Sequence, residues 1–246
     1  MKELDKETKA KRNEQYNDWA RKRPAYICLG ILIAMGIAMG IIDLFSTKLW
    51  WRAIFYVLSI SAVSSALFFF FRFFLRDISK LYPGKIIFCD RLKPTTRLLY
   101  SSDTNFSDEN KKAIRKKVLA KKSIDLEKYK DKSYNNKKYV KRIDDAVAWL
   151  LEVTRFDDIL FEYNCVYGFY RNLTAALLVD SILLFVLAAV DKWAIPLPLG
   201  DSFLWIGIIL LVITLITTLL AYTNGMTYAK KLYNVFLCLD DNKDNY

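Results

Sequence analysis

The sequence predicts an all-α membrane protein in which four transmembrane helices form two hairpins that flank a small cytoplasmic helical domain. Hydrophobic residues make up 54% of the 246 residues and charged residues 26%, so the two classes must be separated along the chain. The apolar residues fall into four runs: Tyr26–Phe45, Ala53–Leu75, Leu173–Val190 and Phe203–Tyr222. Each run is close to the ~20 residues that a helix needs to cross a bilayer, and runs so poor in charge rarely fit inside a small soluble protein.

The distribution of lysine and arginine predicts the orientation of these helices. Eight basic residues lie in 1–24 and twenty in 77–162, but only three lie in the short segments 46–52 and 191–201 together. By the positive-inside bias, both termini and the central segment are therefore expected to be cytoplasmic. This predicts five divisions: a tail (1–24), a first transmembrane hairpin (25–75), a basic helical domain (76–168), a second hairpin (169–223) and a C-terminal tail (224–246).

The first hairpin begins with a run that follows a long charged tail and precedes no small-residue cleavage site, so we expect an anchor and not a signal peptide. The tail itself is compatible with a juxtamembrane helix or with a solvated arm. Gly36 and Gly40 form a G-x-x-x-G pattern, which predicts a helix-packing face. In the second run, Arg72 either extends to the headgroups or reaches towards Asp180 in the third run.

The third run continues a charged, aromatic segment without a break from Phe156 to Val190. Tyr167, Phe169 and Tyr170 stand where an aromatic belt would lie, so the run predicts one helix that joins the domain to the membrane. Asp180 follows this belt by about 10–14 Å along a helix. The insertion of a carboxylate at that depth costs a free energy of about 2.5–3.5 kcal/mol on insertion scales. We therefore expect the Asp180 side chain to face the helix bundle or a cavity and to have a function there.

The fourth run has no charged residue but contains a row of small or hydroxylated residues on one helix face. Its members are Gly207, Thr214, Thr218, Ala221 and Gly225, with Leu211 completing the spacing. The row is compatible with a packing seam or with the lining of a narrow polar pathway that has Thr217 beside it.

The central segment predicts two helices. Ser107 is the expected N-cap of the first, with Asp108 and Glu109 in its first turn, and its narrow apolar stripe is Ile114 and Val118. The residues 125–136 are expected to form a loop. The second helix has one wide apolar face: Tyr139, Ile143, Ala146, Val147, Leu150 and Val153.

The basic residues of this segment predict a ligand-binding surface for phosphates, because clustered cations neutralise them. The candidate residues are Arg97, Lys111, Lys112, Arg115, Lys116, Lys121, Lys122, Lys141 and Arg142. Tyrosines interspersed with them are expected to stack on bases, namely Tyr100, Tyr129, Tyr134 and Tyr139. The alternative is that the same cations only contact anionic lipids.

Several kinds of chemistry are excluded by composition. The chain has no histidine, which removes most zinc sites and imidazole catalysis, and it has neither a P-loop nor a G-x-S-x-G motif. Its four cysteines lack pairing or metal-ligand spacing and are expected in or near a reducing compartment, so no disulfide is predicted. We expect no enzyme activity, no cofactor and no metal site.

Two strings, KPTTRLLYSSDTNFSDENKKAIRKKV (93–118) and AVAWLLEVTRFDDILFEYNCVYGFYRNL (146–173), resemble the Hailong-type membrane effectors. These are small bacterial proteins that accompany nucleotidyltransferases in phage-defence operons. The resemblance covers about 94–173 and matches no individual ligand contact. It implies an oligomeric, tetrameric ion channel of the inner membrane whose opening halts growth of the infected cell. It also implies that a nucleotide product of the partner enzyme, a single-stranded deoxyadenosine oligomer, keeps the channel shut.

These observations together predict a ligand-controlled channel in the bacterial inner membrane, with lipid and other copies of the chain as its partners. The residues expected to line or gate the pathway are Asp180, Thr214, Thr217, Thr218 and Arg72. The helix at 156–171 is expected to carry the ligand state to the membrane. The alternative is a membrane-anchored scaffold or an adaptor for anionic lipids that conducts nothing.

Overall fold

The computed structural model describes residues 2–47, 68, 74–75, 77–79, 93–100, 103–127, 137–193, 197 and 200–239. These residues are 89% helical and contain no strand, which confirms the all-α prediction. Three helical segments are long and apolar enough to cross a membrane: Lys6–Ile42, Asp158–Trp193 and Asp201–Cys238. The predicted run Ala53–Leu75 lies almost entirely outside the described residues, so the count of four spans and the first hairpin stay predictions.

The described residues form the following helices, in chain order. They are α1 (Lys2–Asn17), a π-helical turn (Asp18–Lys22), α2 (Arg23–Thr47), α3 (Pro94–Leu98), α4 (Asp108–Lys122), α5 (Lys137–Val153), α6 (Asp158–Trp193) and α7 (Gly200–Cys238). The N-terminal segment is therefore helical from Lys2 and continues into the first apolar run.

The chain forms two compact units, and α6 and α7 contribute to both. The first unit comprises Met1–Pro83 and Gly168–Ala221, and the second comprises Gly84–Tyr167 and Tyr222–Tyr246. At 36 and 39 residues, α6 and α7 are about 54 and 58 Å long. A hydrocarbon core is only ~30 Å thick, so each helix has a part that a bilayer cannot cover.

In the first unit, α7 buries one face that contains small and hydroxylated residues together with Phe203 and Leu210. The buried positions recur at steps of four and three residues: Phe203, Gly207, Leu210, Thr214, Thr217 and Ala221. The intervening positions include Trp205, 65% exposed, and Leu219, 67% exposed. This is the pattern of a helix that packs closely with its neighbours inside lipid, where small residues let backbones approach.

The buried face of α7 differs in register from the predicted row. Leu211, which the sequence placed on that face, is 38% exposed, whereas Leu210 is buried. Thr217 is buried and Thr218 only half-buried. Both rows obey helical spacing, and the choice between them follows from the packing of Leu210 against α6, in a cluster that contains Leu184.

The second unit has a core of large apolar side chains, built as its sequence predicts. Ser107 caps α4 by accepting a hydrogen bond from the Asn110 backbone N–H at 3.3 Å, which satisfies one of the free donors at a helix start. Ile114 and Val118 are fully buried. The predicted face of α5 is buried from Tyr139 to Leu150, so both helices of the domain are confirmed.

The last turns of α7 belong to this core, which the prediction of a C-terminal tail at 224–246 did not anticipate. Met226, Ala229, Tyr233 and Phe236 are buried together with α4 and α5 residues. The Tyr233 hydroxyl donates a hydrogen bond to the Thr95 carbonyl oxygen. Lys117 of α4 donates to the carbonyl oxygens of Phe236 and Leu239, at 3.2 and 2.5 Å. Both carbonyls lie at the C-terminal end of α7, where helix carbonyls lack intrahelical donors four residues further on.

Replacing Phe236 by alanine is therefore expected to destabilise the second unit by about 3–5 kcal/mol, the usual cost of removing a buried phenylalanine side chain. The matched control is Asn234→Ala, because Asn234 is exposed on the same helix. The measurement is the free energy of unfolding of the detergent-solubilised chain. Equal stability of the two variants would contradict the place of α7 in this core.

Candidate functional site

The structure contains two candidate sites. One is a buried set of polar residues in the first unit, and the other is a set of basic residues in the second unit. Each is described within its own unit. The buried set is centred on Asp180 of α6, a fully buried carboxylate. The cationic set lies mainly on α4.

Asp180 is paired with a cysteine that the sequence analysis did not select. The Cys28 thiol of α2 donates a hydrogen bond to Asp180 Oδ1 at 2.8 Å. Among the described residues, Asp180 Oδ2 has no hydrogen-bond partner. Arg72, for which the sequence left open an extension to the headgroups or a contact with Asp180, lies outside the described residues.

Hydroxyl groups of the first unit donate to backbone carbonyl oxygens, and among Ser181, Thr214 and Thr217 only that of Ser181 joins two helices. Ser181 Oγ donates to the Gly207 carbonyl oxygen of α7 at 2.9 Å. Thr214 and Thr217 donate to carbonyl oxygens of their own helix, Leu210 O at 2.8 Å and Thr214 O at 3.0 Å. Thr218 Oγ1 is buried and has no partner among the residues that the structure describes.

Helix α6 uses adjacent residues to face different neighbours. Asp180 contacts α2 through Cys28, while Ser181 contacts α7 through Gly207. Within the described part of the chain, no hydrogen bond joins Asp180 to Thr214, Thr217 or Thr218. The four predicted pathway residues that the structure describes lie in the first unit, but they do not form one hydrogen-bonded group.

Close helix contacts occur at glycines other than the predicted pair. A Cβ atom at Gly168 would lie 2.7 Å from the Tyr16 hydroxyl oxygen, and one at Gly207 would lie 2.9 Å from the Phe185 ring. Both positions therefore require glycine, because real Cβ contacts are not this short. Gly40 is buried and Gly36 half-buried, and their role in helix packing stays a prediction.

The contact at Gly168 continues one turn further along α6. The Asn172 side-chain amide donates a hydrogen bond to the Ala20 carbonyl oxygen, which lies in the π-helical turn between α1 and α2. Such turns widen the helix locally and often coincide with functional contacts. The sequence analysis found no signal for this contact, since a π-helical turn has no reliable sequence pattern.

Two of the nine predicted ligand-binding cations are internal to the second unit. Lys111 is 1% exposed, and its ammonium group donates a hydrogen bond to the Asp103 carbonyl oxygen. Arg115 is 6% exposed and donates to Leu99 O at 2.8 Å and to Glu127 Oε1 at 2.9 Å. These side chains hold loops onto α4 and are not available to a ligand.

The spacing of these two cations is the signal that would have identified them. Lys111, Ile114, Arg115 and Val118 are separated by three, one and three residues, which places all four on one helix face. All four are buried. The sequence predicted a narrow apolar stripe of two residues on α4. The buried face is wider, because it also includes the aliphatic stems of Lys111 and Arg115.

The other seven predicted cations differ in exposure. Arg97 forms an ion pair with Asp103 at 3.3 Å, and Arg142 donates to the Asp125 carbonyl oxygen at 3.0 Å. Lys121 is half-buried. The fully exposed residues are Lys112, Lys116, Lys122 and Lys141.

The predicted stacking role of two tyrosines is wrong. Tyr100 and Tyr139 are fully buried and pack edge to face, with ring centroids 5.0 Å apart. Burial raises the pKa of the Tyr139 hydroxyl above its usual value, and the nearby Arg115 charge opposes that shift. Their rings complete the core of the unit, so no base can stack on them. Tyr129 and Tyr134 lie outside the described residues.

Comparison with known proteins adds no family. No protein-family model matches the chain, and neither curated proteins nor solved structures give a significant match. The described residues also contain no group of three or more histidine, cysteine, aspartate or glutamate side chains placed to hold a metal ion. Function must therefore be inferred from the residues and their geometry.

The structural role of Arg115 predicts a clear difference between neighbouring cations. Arg115→Ala is expected to lower the free energy of unfolding by about 2–3 kcal/mol, because it removes charge-assisted hydrogen bonds and leaves a buried carbonyl oxygen unpaired. Lys116→Ala, which removes an exposed side chain of the next residue, is expected to change it by less than about 0.5 kcal/mol. Thermal unfolding of both variants, followed by circular dichroism, makes the comparison. Similar stability of the two proteins would show that Arg115 is not structural.

Proposed function

We propose that the chain is the subunit of an oligomeric ion channel in the bacterial inner membrane, controlled by a nucleotide or a single-stranded DNA oligomer. In this proposal a partner nucleotidyltransferase makes the ligand, and channel opening depolarises the membrane in anti-phage defence. The observation that carries the proposal is the fully buried carboxylate of Asp180 in an otherwise apolar helical stretch. The resemblance to the Hailong-type effectors supports the ligand class and the role in defence.

Insertion in a membrane is supported by the surface of the first unit. Its long helices expose large apolar side chains and bury small or hydroxylated ones. In water this distribution would leave a large apolar surface exposed, whereas in lipid it costs nothing. The lysine and arginine distribution supports cytoplasmic termini and a cytoplasmic central segment.

A role in conduction is supported by the position and surroundings of Asp180. It is the only charged residue of the segment 172–190, and it lies about 18 Å along the helix from Gly168, where the first unit begins on α6. Charged groups at such a depth are costly and usually serve ion pathways or proton transfer. The second carboxylate oxygen has no partner among the described residues, so it can accept a hydrogen bond from water or contact a cation.

The proposed channel requires several copies of the chain. Three long apolar helices, with a fourth predicted span, are too few to surround a water-filled pathway by themselves. Homo-oligomers with closed symmetry supply such walls by repetition. The resemblance favours a tetramer.

Ligand binding is assigned in this proposal to the exposed lysines of the second unit. Lys112, Lys116 and Lys122 lie on α4 and Lys141 on α5, and all four are exposed to solvent. Phosphates of an oligonucleotide would contact these ammonium groups and release counterions. Buried Lys111 and Arg115 would support the helix without touching the ligand.

A non-conducting scaffold or an anionic-lipid adaptor is the second candidate, favoured by one observation. Ser181, Thr214 and Thr217 all donate their hydroxyl hydrogens to helix carbonyl oxygens. This is the expected behaviour of a packing seam. If these residues only hold helices together, the membrane unit would serve as an anchor.

Ion flux from liposomes that contain the purified chain separates the two candidates. We expect flux that changes on addition of an oligo-deoxyadenosine, and we expect Asp180→Asn to alter the rate at least tenfold, because it removes the buried charge with little change in volume. The control is Asp201→Asn, which neutralises an exposed carboxylate at the start of α7. Absence of flux from a folded oligomer, with and without the oligonucleotide, would favour the scaffold.

Removing the exposed lysines tests the ligand surface. The triple variant Lys112→Ala, Lys116→Ala and Lys122→Ala is expected to weaken oligo-deoxyadenosine binding and to reduce the slope of log affinity against log salt by about 2, given ~0.7 per phosphate contact on a single strand. The control removes the same charge from α1, at the exposed residues Lys6, Lys9 and Lys11. Fluorescence anisotropy measures both affinities. Two results together would assign these lysines to lipid. The salt-dependence slopes of the two triple variants would be equal, and only the α4 variant would lose flotation on anionic liposomes.

A further inference from the structure

We infer that the second unit docks on a second copy of the chain, head to tail, through an acidic-rimmed apolar patch on one copy and a lysine face on the other. The apolar patch consists of Phe156, Ile159 and Tyr163 with the carboxylates of Asp158 and Glu162. The lysine face consists of Lys112, Lys116, Leu119 and Lys122 on α4. The inference rests on the proposed function only in requiring an oligomer.

The apolar patch is exposed in the single chain. Phe156 is 49% exposed, Ile159 52% and Tyr163 36%, and the carboxylates of Asp158 and Glu162 are also exposed. Ile159 and Tyr163 are four residues apart on α6, so they lie along one line of the helix surface. Asp158 and Glu162 are also four residues apart and lie along a neighbouring line. An exposed group of large apolar side chains with a polar rim is characteristic of a protein interface.

Lipid does not account for this exposure. Ile159 precedes Leu173, the first residue of the predicted span, by fourteen residues in the sequence, which is about 21 Å along a helix. Tyr163 belongs to the unit that ends on α6 at Tyr167. Under the proposed topology the apolar patch therefore lies in water, where its exposure is unfavourable unless a protein surface covers it.

The lysine face has the complementary composition. Lys112, Lys116, Leu119 and Lys122 follow one another at steps of four, three and three residues, so they form a stripe along α4. Leu119 is 48% exposed between these lysines. An exposed leucine among cations on α4 is complementary in charge to apolar side chains that have two carboxylates along one side on α6.

A second copy of this chain is the occupant that these charges favour. Both surfaces are exposed within the same unit, and each carries charges opposite in sign to those of the other. Contact between two different surfaces of identical chains is heterologous, and it closes into a ring when the rotation between copies is a whole fraction of a turn. Complementary charge also directs the two surfaces towards each other before contact.

The lysine face would thus have two anionic partners: the carboxylates of a neighbouring copy and the phosphates of the proposed ligand. Three lysines cannot neutralise both at once, so docking and oligonucleotide binding exclude each other. The inferred interface therefore gives the ligand a direct effect on the arrangement of the cytoplasmic units. Ligand binding releases the contact without touching the membrane helices.

Cross-linking between two differently tagged chains tests the interface. One chain carries Ile159→Cys and the other Ala120→Cys, beside Leu119, in a background with Cys89 and Cys238 replaced by serine. After co-expression and reconstitution in liposomes, a short bismaleimide should give a heterodimer that carries both tags. Ser202→Cys in place of Ala120→Cys, an exposed position in the first unit, is the negative control.

Charge reversal makes the test specific. Asp158→Lys with Glu162→Lys in the first chain, or Lys112→Glu with Lys116→Glu in the second, should each reduce the cross-link at least tenfold, while both reversals together should restore it. Restoration excludes misfolding as the cause of the loss. An oligo-deoxyadenosine should reduce the cross-link between the unreversed chains.

The outcomes separate this inference from the proposed function. No cross-link between unreversed chains that are oligomeric by light scattering, or no restoration by the double reversal, overturns the interface whatever the flux. A cross-link that saturating oligonucleotide leaves unchanged overturns the exclusion between docking and ligand. Cross-linking and restoration in a protein without ion flux would support the interface and refute the channel.

Discussion

Helices α6 and α7 each contribute to both compact units, and in the proposed membrane arrangement each would meet two different solvents. In hydrocarbon there is no hydrophobic force between apolar side chains, so helices are held by close packing and hydrogen bonds. In water the burial of large apolar side chains is the main stabilising term. Helix α7 changes accordingly, from a buried face of Gly207, Thr214 and Thr217 to one of Met226, Tyr233 and Phe236.

The polar groups of the first unit obey the same constraint. A hydroxyl or amide in hydrocarbon must find its partner inside the protein, and Ser181, Thr214 and Asn172 do so on backbone carbonyl oxygens. Asp180 is the charged member that is only partly satisfied, since one of its oxygens accepts a hydrogen bond from Cys28 while the other has no partner among the described residues. An incompletely satisfied carboxylate is expensive to keep in such a place, which is why we assign it a function.

The basic residues of the second unit fall into two groups with different structural roles. Lys111 and Arg115 bind backbone carbonyl oxygens inside the unit, and they cannot leave without exposing unpaired acceptors. Lys112, Lys116 and Lys122 remain in solvent and are free to exchange one anionic partner for another. A single basic helix thus combines a rigid inner face with an outer face suited to reversible contacts.

The sequence by itself determined the helical class, the cap at Ser107 and the buried face from Tyr139 to Leu150, because these depend on periodicity and on interactions between residues close in the chain. It also determined which helices are apolar enough for a membrane. Only the tertiary structure decided that Cys28 meets Asp180, that Thr217 and not Thr218 is buried, and that the end of α7 completes a core predicted to lack it. Such choices depend on contacts between different helices, which are determined by how whole helices pack and not by any local pattern.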